Sequence, residues 1–185
     1  MATSFDAAFA VARALADDFA AHEKQFLSPA YNEAQARKDF IDKFFIALGW
    51  DVDHVAQKNP YEQEVKVERT QRQGAAHKKA DYAFSLAPNF RDVRFFVEAK
   101  KPSIALQNAD DYFQTIRYGW NSQNLVAVLT DFEEFHILDC RYKPSIDSAL
   151  LRGWKRFHYT DYKDPEKFAE IYFQTLPYLH TITNR

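Results

Sequence analysis

Two apolar segments of this sequence carry ionisable side chains that could act together. Asp81 lies in the first, residues 80–86, while Glu98 and Lys100 end the second, residues 93–100. Because side chains alternate along a strand, Glu98 and Lys100 would emerge on one face. A hairpin that pairs the two segments would bring Asp81 beside Glu98. Two carboxylates and a lysine that meet at strand ends can hold a hard divalent cation and a phosphate group.

The alternative is that these three charges only brace the interior of a sheet. Residues 93–97 are apolar apart from Arg94, a pattern typical of a central strand covered on both faces. Charges buried at the end of such a strand cost free energy unless they are paired or used. Removing water from three charges for stability alone is usually unfavourable, so we favour a functional site.

Composition limits the class of protein. The chain has 185 residues, 46% of them hydrophobic, which predicts one domain with a sizeable core. Only 4 glycines argue against a turn-rich β-sandwich, and a net charge of −2 argues mildly against strong nucleic-acid binding by this part alone. The single cysteine, Cys140, excludes an internal disulfide and fits a reducing compartment, so we expect a cytoplasmic location.

Signals for other locations and for zinc are missing from the sequence. The N-terminus has no basic region followed by an apolar core, so we expect no signal peptide. No apolar stretch approaches the roughly 20 residues that span a bilayer, so we expect no membrane partner. The 6 histidines are scattered and have no zinc-site spacing.

Periodicity predicts an α/β fold, with a mixed sheet of about five strands flanked by helices. Ser4, Asn108 and Asp164 are the predicted N-caps, and Gly49 and Gly119 the predicted helix stops. The predicted helices are residues 5–26, 31–48, 108–119 and 165 to about 176. The predicted strands are an exposed edge strand at 62–68, then 79–86, 93–100, 124–130 and 134–139, with 154–159 as one further candidate.

Residues 69–79 form the one clearly basic stretch and lead directly into Asp81. One interpretation is a solvated loop, as most short runs of charge are. The other is a phosphate-contacting loop at the mouth of the site. The two are evenly balanced, and the second makes DNA-binding candidates of Arg69, Arg72, Lys78 and Lys79.

Two pairs of polar residues lie four apart on predicted helices. Glu33 and Arg37 are four residues apart, which favours a helical ion pair worth about 0.3–0.5 kcal/mol over a Glu33 carboxylate directed at the site. Gln114 and Tyr118 also share a helix face, and as ordinary residues they would simply be half-buried and polar.

The order of elements and motifs resembles the PD-(D/E)XK nuclease superfamily. Asp81 matches the aspartate of the motif, with Ala80 in place of the usual proline, and Glu98-Ala99-Lys100 matches (D/E)XK. Residues 114–118 look like the QxxxY motif of the nuclease domains in type I restriction enzymes. Residues 33–50 look like the opening helix of the same domains. The Asp…Glu-x-Lys motif is weak alone, and the four features in order are much stronger.

The resemblance implies a restriction-endonuclease-like core that hydrolyses DNA phosphodiesters with Mg²⁺, for which Mn²⁺ would substitute. It implies that Asp81, Glu98 and the carbonyl of Ala99 bind the metal and that Lys100 orients water or stabilises developing charge. It further implies that Gln114 and Tyr118 contact the DNA backbone or position Lys100, and that Glu33 completes the outer shell. The implied partners are double-stranded DNA and methyltransferase, specificity or motor domains or subunits elsewhere in the parent enzyme.

We expect residues 1–185 to form a single nuclease domain, which the resemblance assigns to a type I or a fused restriction-modification enzyme. Its predicted parts are N-terminal helices at 1–50, a catalytic core at 51–140 and a C-terminal extension at 141–185 that would lead to a further domain. One alternative is a non-catalytic DNA-binding or assembly module that retains the nuclease fold. Another is a stand-alone repair or junction nuclease, which the restriction-type opening helix disfavours.

Overall fold

A six-stranded mixed sheet forms the centre of the protein. The computed structural model describes residues 3–73 and 76–175, without the side chains of residues 68–79. The strands stand in chain order, and all described neighbours are antiparallel except β3 and β4, which are parallel. They are β1 (Val65–Gln73), β2 (Ala76–Leu86), β3 (Asn89–Ala99), β4 (Val126–Thr130), β5 (Glu134–Asp139) and β6 (Gly153–His158).

The α/β class is therefore correct, and the expected count of about five strands was too low. The candidate segment 154–159 is the sixth strand, β6, which pairs with β5. The predicted antiparallel pairing of residues 124–130 with 134–139 is confirmed. Among the described residues no helix has the length and apolar character needed to cross a membrane.

Helices cover both faces of the sheet. They are α1 (Phe5–Ala21), α2 (Glu23–Phe26), α3 (Glu33–Ala36), α4 (Asp42–Ala47), α5 (Ala109–Asn121) and α6 (Pro165–Thr175), with 3₁₀ turns at Ile146–Arg152 and Tyr159–Lys163. Helices α1, α4 and α6 bury an aromatic-rich core against one face, to which Phe19, Phe44 and Phe168 belong. Helix α5 packs on the opposite face through Tyr112 and Ile116. Residues Phe95–Ala99 of β3 are consequently buried on both sides, as predicted.

The predicted N-caps are confirmed at all three positions. Ser4 Oγ accepts from the Ala7 amide at 3.3 Å, and Asn108 and Asp164 cap α5 and α6 in the same manner. The first helix ends at Ala21 instead of continuing to residue 26, because the backbone of His22 (φ −129°, ψ 25°) leaves the helical region and separates α1 from α2.

The second predicted helix is interrupted by a π-helical turn at Arg37–Ile41 between α3 and α4. It begins at Glu33, since Asn32 and not Tyr31 starts the segment with a reciprocal capping box. Gly49 ends it with a φ of 100°, a backbone conformation that glycine adopts readily. Gly119, the other predicted stop, lies inside α5, where an added Cβ would clash with the side chain of Cys140.

The β1–β2 hairpin corrects two predictions. The edge strand predicted at 62–68 begins at Val65 and continues to Gln73. The basic stretch 69–79, predicted as a loop, has strand backbone on both sides of residues 74–75, with Arg69 opposite Ala80 and Thr70 opposite Lys79. Alternation of polar and apolar residues fades there, so no strand could be predicted from the pattern. We call residues 68–73 and 76–80 the basic ribbon.

The β2–β3 hairpin pairs as predicted but turns more tightly. β3 begins at Asn89, so most of the predicted connection 88–92 is strand, and the turn contains a cis Ala87–Pro88 bond. The predicted C-terminal extension beyond Thr175 lies outside the described residues.

Candidate functional site

The candidate site lies where β2 and β3 run side by side under the first turns of α5. Tyr82 is opposite Val97, which brings the preceding residue, Asp81, to the end of β3. The Ala99 amide donates to Asp81 Oδ2 at 2.8 Å. Asp81 and Glu98, far apart in sequence, are thus placed together by the hairpin register, as the spacing predicted.

Glu98 is a buried carboxylate with two unlike oxygens. The residue is only 5% exposed, and its Oε1 accepts from Lys100 Nζ and from Gln114 Nε2, each at 2.9 Å. Its other oxygen, Oε2, is buried and has no hydrogen-bond partner among the described residues. Burial, followed by the negative charge of Asp81, raises the pKa of Glu98 to about 7. Such an oxygen is costly to bury unless a cation or donor is bound there.

Lys100 is held between two carboxylates. Its ammonium lies 2.9 Å from Glu98 Oε1 and 3.4 Å from Asp111 Oδ1. Burial alone would lower the pKa of Lys100, but the negative charges of Glu98, Asp111 and Glu33 raise it above its ordinary value. Lys100 is therefore a cation at neutral pH. Sequence reasoning missed Asp111, whose only signal was its place in the first turn of α5.

Gln114 and Tyr118 meet on the face of α5 that covers Glu98. Gln114 Nε2 donates to Tyr118 Oη at 3.1 Å as well as to Glu98. Burial, and then the charge of Glu98, raises the pKa of Tyr118 to about 12. The predicted shared face is confirmed, and Gln114 contacts the site residue Glu98 directly.

Arg37 reaches the site from the opposite side of the sheet. Its Nη1 lies 3.5 Å from Asp81 Oδ1, and its Nε donates to Tyr82 Oη at 3.0 Å. Tyr82 in turn donates to Asp42 at 2.6 Å. The ion pair that helical spacing favoured for Arg37 was with Glu33; in the structure its described ion pair is with Asp81.

Glu33 lies close enough to the site for its charged groups to shift the pKa of Glu33. Burial raises the pKa of Glu33, as does the charge of Asp81, while Lys100 and Arg37 act in the opposite direction. Glu33 is half-buried at the start of α3, and these charge effects place it near Asp81 and Lys100.

A divalent cation fits the donors of this site in part. Asp81 and Glu98 supply carboxylate oxygens, and the unpartnered Glu98 Oε2 is the atom a cation would satisfy. No group of three or more Asp, Glu, His or Cys side chains in the described part of the chain is arranged to hold a metal. An ion here would complete its shell with a backbone carbonyl, water and phosphate oxygens, which Mg²⁺ accepts readily.

The predicted DNA-binding residues Arg69, Arg72, Lys78 and Lys79 lie on the basic ribbon. Their side chains are outside the described residues, so their backbone positions are what the structure gives. Arg72 is opposite His77 and Lys78 is opposite Gln71, and the ribbon ends at Ala80, directly before Asp81.

Comparison with known proteins gives one relative. Over 161 residues the chain is 38% identical to the type II restriction enzyme and methyltransferase RM.Eco57I of Escherichia coli. The matched region is 85% of this chain but 16% of that protein, so the chain spans only a small part of its relative's length. No family model matches the chain, and no solved structure matches it. The chain is accordingly related to a segment of a restriction-modification enzyme.

Proposed function

We propose that this chain is the Mg²⁺-dependent endodeoxyribonuclease domain of a restriction-modification enzyme, with a PD-(D/E)XK fold. The observation that carries the proposal is the buried Oε2 of Glu98, close to Asp81 and to a protonated Lys100. This oxygen has no hydrogen-bond partner among the described residues. The relative is named as a restriction enzyme, which supports this assignment. The parent enzyme would act in the cytoplasm, with methyltransferase, specificity or motor domains or subunits as partners.

The metal would be held by Asp81, Glu98 and the backbone carbonyl of Ala99. When bound, Mg²⁺ lowers the pKa of a coordinated water and offsets negative charge on the scissile phosphate. The amide of Ala99 and the guanidinium of Arg37 hold one Asp81 oxygen each, so that carboxylate is fixed before any ligand arrives.

Lys100 would stabilise the negative charge that develops on the phosphate, because its ammonium is fixed beside Glu98 in a partly desolvated site. Gln114 holds the Glu98 carboxylate, and Tyr118 holds Gln114, so this pair orients the proposed metal ligand. Glu33 would hold water in the outer shell.

Double-stranded DNA would lie along the basic ribbon. A two-stranded β-ribbon has the width to enter the major groove, and Arg69, Arg72, Lys78 and Lys79 would bind phosphates. The ribbon leads directly into Asp81, so DNA held there would pass the proposed metal ligands.

Lys100→Ala in the enzyme that contains this chain should lower plasmid nicking or cutting with Mg²⁺ or Mn²⁺ by about 10²–10³-fold, because charge stabilisation at the phosphate is lost. Lys101→Ala removes the same charge one position along and should retain most of the activity. An intact parent enzyme that cuts DNA with neither metal would contradict the proposed function.

A non-catalytic DNA-binding or assembly module is the second candidate. It is favoured by the finding that, in the described part of the chain, no three Asp, Glu, His or Cys side chains are arranged to hold a metal ion. Such a module would bind DNA without metal in a salt-sensitive manner and would be indifferent to Lys100→Ala.

A further inference from the structure

Asp111 has both carboxylate oxygens committed. Its side chain is 22% exposed, and Oδ1 lies 3.4 Å from Lys100 Nζ. Its Oδ2 accepts from the Nδ2 of Asn108, whose Oδ1 in turn accepts from the Asp111 amide at 2.9 Å. The N-cap residue of α5 therefore fixes the rotamer of Asp111 and leaves its other oxygen directed at Lys100.

Lys100 needs a second ion-pair partner besides Glu98 to keep its ammonium in place. The Glu98 oxygen that binds the ammonium also accepts from Gln114. A cation bound by Glu98 would repel the ammonium and draw on the same carboxylate. Asp111 lies outside the proposed metal ligands, on a helix whose start is capped, so it can keep Lys100 in place.

We propose that Asp111 is a positioning residue that fixes the Lys100 ammonium for the phosphodiester hydrolysis proposed above, on which this inference rests. Asp111, Gln114 and Tyr118 follow one another at steps of three and four residues, so they share one face of α5. That face orients both halves of the Glu98–Lys100 pair: Gln114 holds the carboxylate and Asp111 holds the ammonium.

A purely structural role for Asp111 is the competing explanation. An acidic residue in the first turn of a helix stabilises the helix through its dipole. Asp110 occupies the same turn and carries the same charge, but it is exposed. Asp110→Asn is therefore the matched control for Asp111→Asn.

The test combines kinetics with a measurement that does not depend on activity. In the full enzyme, Asp111→Asn should lower kcat for DNA cleavage about 10-fold with KM unchanged, because Lys100 is displaced. Labelling of Lys100 by an amine-reactive reagent, measured against Lys101 by peptide mass spectrometry, should rise about 3-fold, because the ammonium loses one of its two carboxylate partners. Asp110→Asn should leave both values within 2-fold of the wild type.

The outcomes separate this inference from the proposed function. Unchanged labelling of Lys100 in Asp111→Asn would overturn the positioning role even if the wild type cuts DNA. Faster labelling of Lys100 in an enzyme that never cuts DNA would support the contact between Asp111 and Lys100 and would overturn the proposed nuclease function. If Asp111→Asn does not fold, Asn108→Ser keeps an N-cap acceptor but removes the amide donor to Asp111. Lys100 labelling in that variant should rise in the same direction, and no rise would overturn the inference.

Discussion

Much of the free-energy cost of burying charge at the site falls on the side chain of Glu98. One of its oxygens is bound by an ammonium and an amide, while the other is buried without a partner among the described residues. The ion pair with Lys100 therefore offsets only part of the cost of burying the carboxylate, and its pKa rises to about 7. Stability without metal should depend on whether this group is protonated.

The sign of this dependence follows from the pKa values in the two states. Glutamate has an ordinary pKa of 4.5, whereas that of Glu98 in the fold is about 7. Between these values the folded protein holds the extra proton, so this contribution to the free energy of unfolding falls as pH rises from about 4.5 to about 7.

Glu98→Gln should remove that contribution, on the order of 3 kcal/mol across the interval, and should stabilise the metal-free protein at neutral pH. Urea unfolding at a series of pH values measures it. Glu62→Gln, at an exposed glutamate, is the control and should follow the wild-type curve. If the free energy of unfolding changes with pH in the same way in Glu98→Gln and in the wild type, the pKa of Glu98 is not raised by its burial.

Sequence spacing was sufficient to bring Asp81, Glu98 and Lys100 together, because strand alternation and a hairpin fix their relation. It was also sufficient for Gln114 and Tyr118, which one helix face unites. Arg37 and Asp111 were missed as site residues because no spacing in the sequence relates them to their partners. Each contacts a residue far away in the chain, Asp81 for Arg37 and Lys100 for Asp111. Local spacing therefore favoured a wrong partner for Arg37.

Helix α5 is placed by its close approach to Cys140, the residue after β5, as well as by its cap. Gly119 lies where any Cβ would overlap the side chain of the buried Cys140. The sequence predicted a helix stop there because glycine is common at C-termini. Packing explains this glycine instead, since the helix continues to Asn121.

Gly119→Ala should destabilise the protein by about 1–3 kcal/mol through overpacking, even though alanine favours helix by about 1 kcal/mol over glycine. Urea unfolding measures the loss. In a Cys140→Gly background both atoms that would overlap the added methyl group, Sγ and Cβ of residue 140, are absent, so the same substitution should cost much less or stabilise. An equal loss in both backgrounds would show that Cys140 is not the obstacle.

The basic ribbon and the π-helical turn at Arg37–Ile41 were the elements least visible in the sequence. Neither has a periodic signature: the ribbon is polar almost throughout, and a π-helical turn differs from α-helix by one hydrogen-bond step. Elements with an apolar face, such as α1, β3 and α5, were found because burial imposes their period.

At the scale of the whole molecule, a chain with a net charge of −2 concentrates positive residues near one edge of the sheet. Replacing Arg69, Arg72, Lys78 and Lys79 by Gln should weaken DNA binding uniformly across sequences. The slope of log affinity against log salt should fall by about 3–4, since each phosphate contact contributes about 0.9.

Fluorescence anisotropy with a DNA duplex at several salt concentrations measures this slope. Lys24→Gln with Lys43→Gln, at exposed lysines on α2 and α4, removes positive charge elsewhere and should leave the slope near its wild-type value. If both sets of substitutions change the slope equally per charge, general attraction and not the ribbon holds the DNA.

The sheet order, which repeats the order of the chain, has a consequence for biosynthesis. Each strand can add to its predecessor as it leaves the ribosome, with only the β3–β4 step waiting for an intervening helix. The β2–β3 hairpin thus gathers two mutually repelling acids before α5 has been translated. Assembly of the charged centre should finish when that helix docks. A nascent chain arrested before α5 would therefore expose Asp81 and Glu98 without the hydrogen bond that Gln114 donates to Glu98.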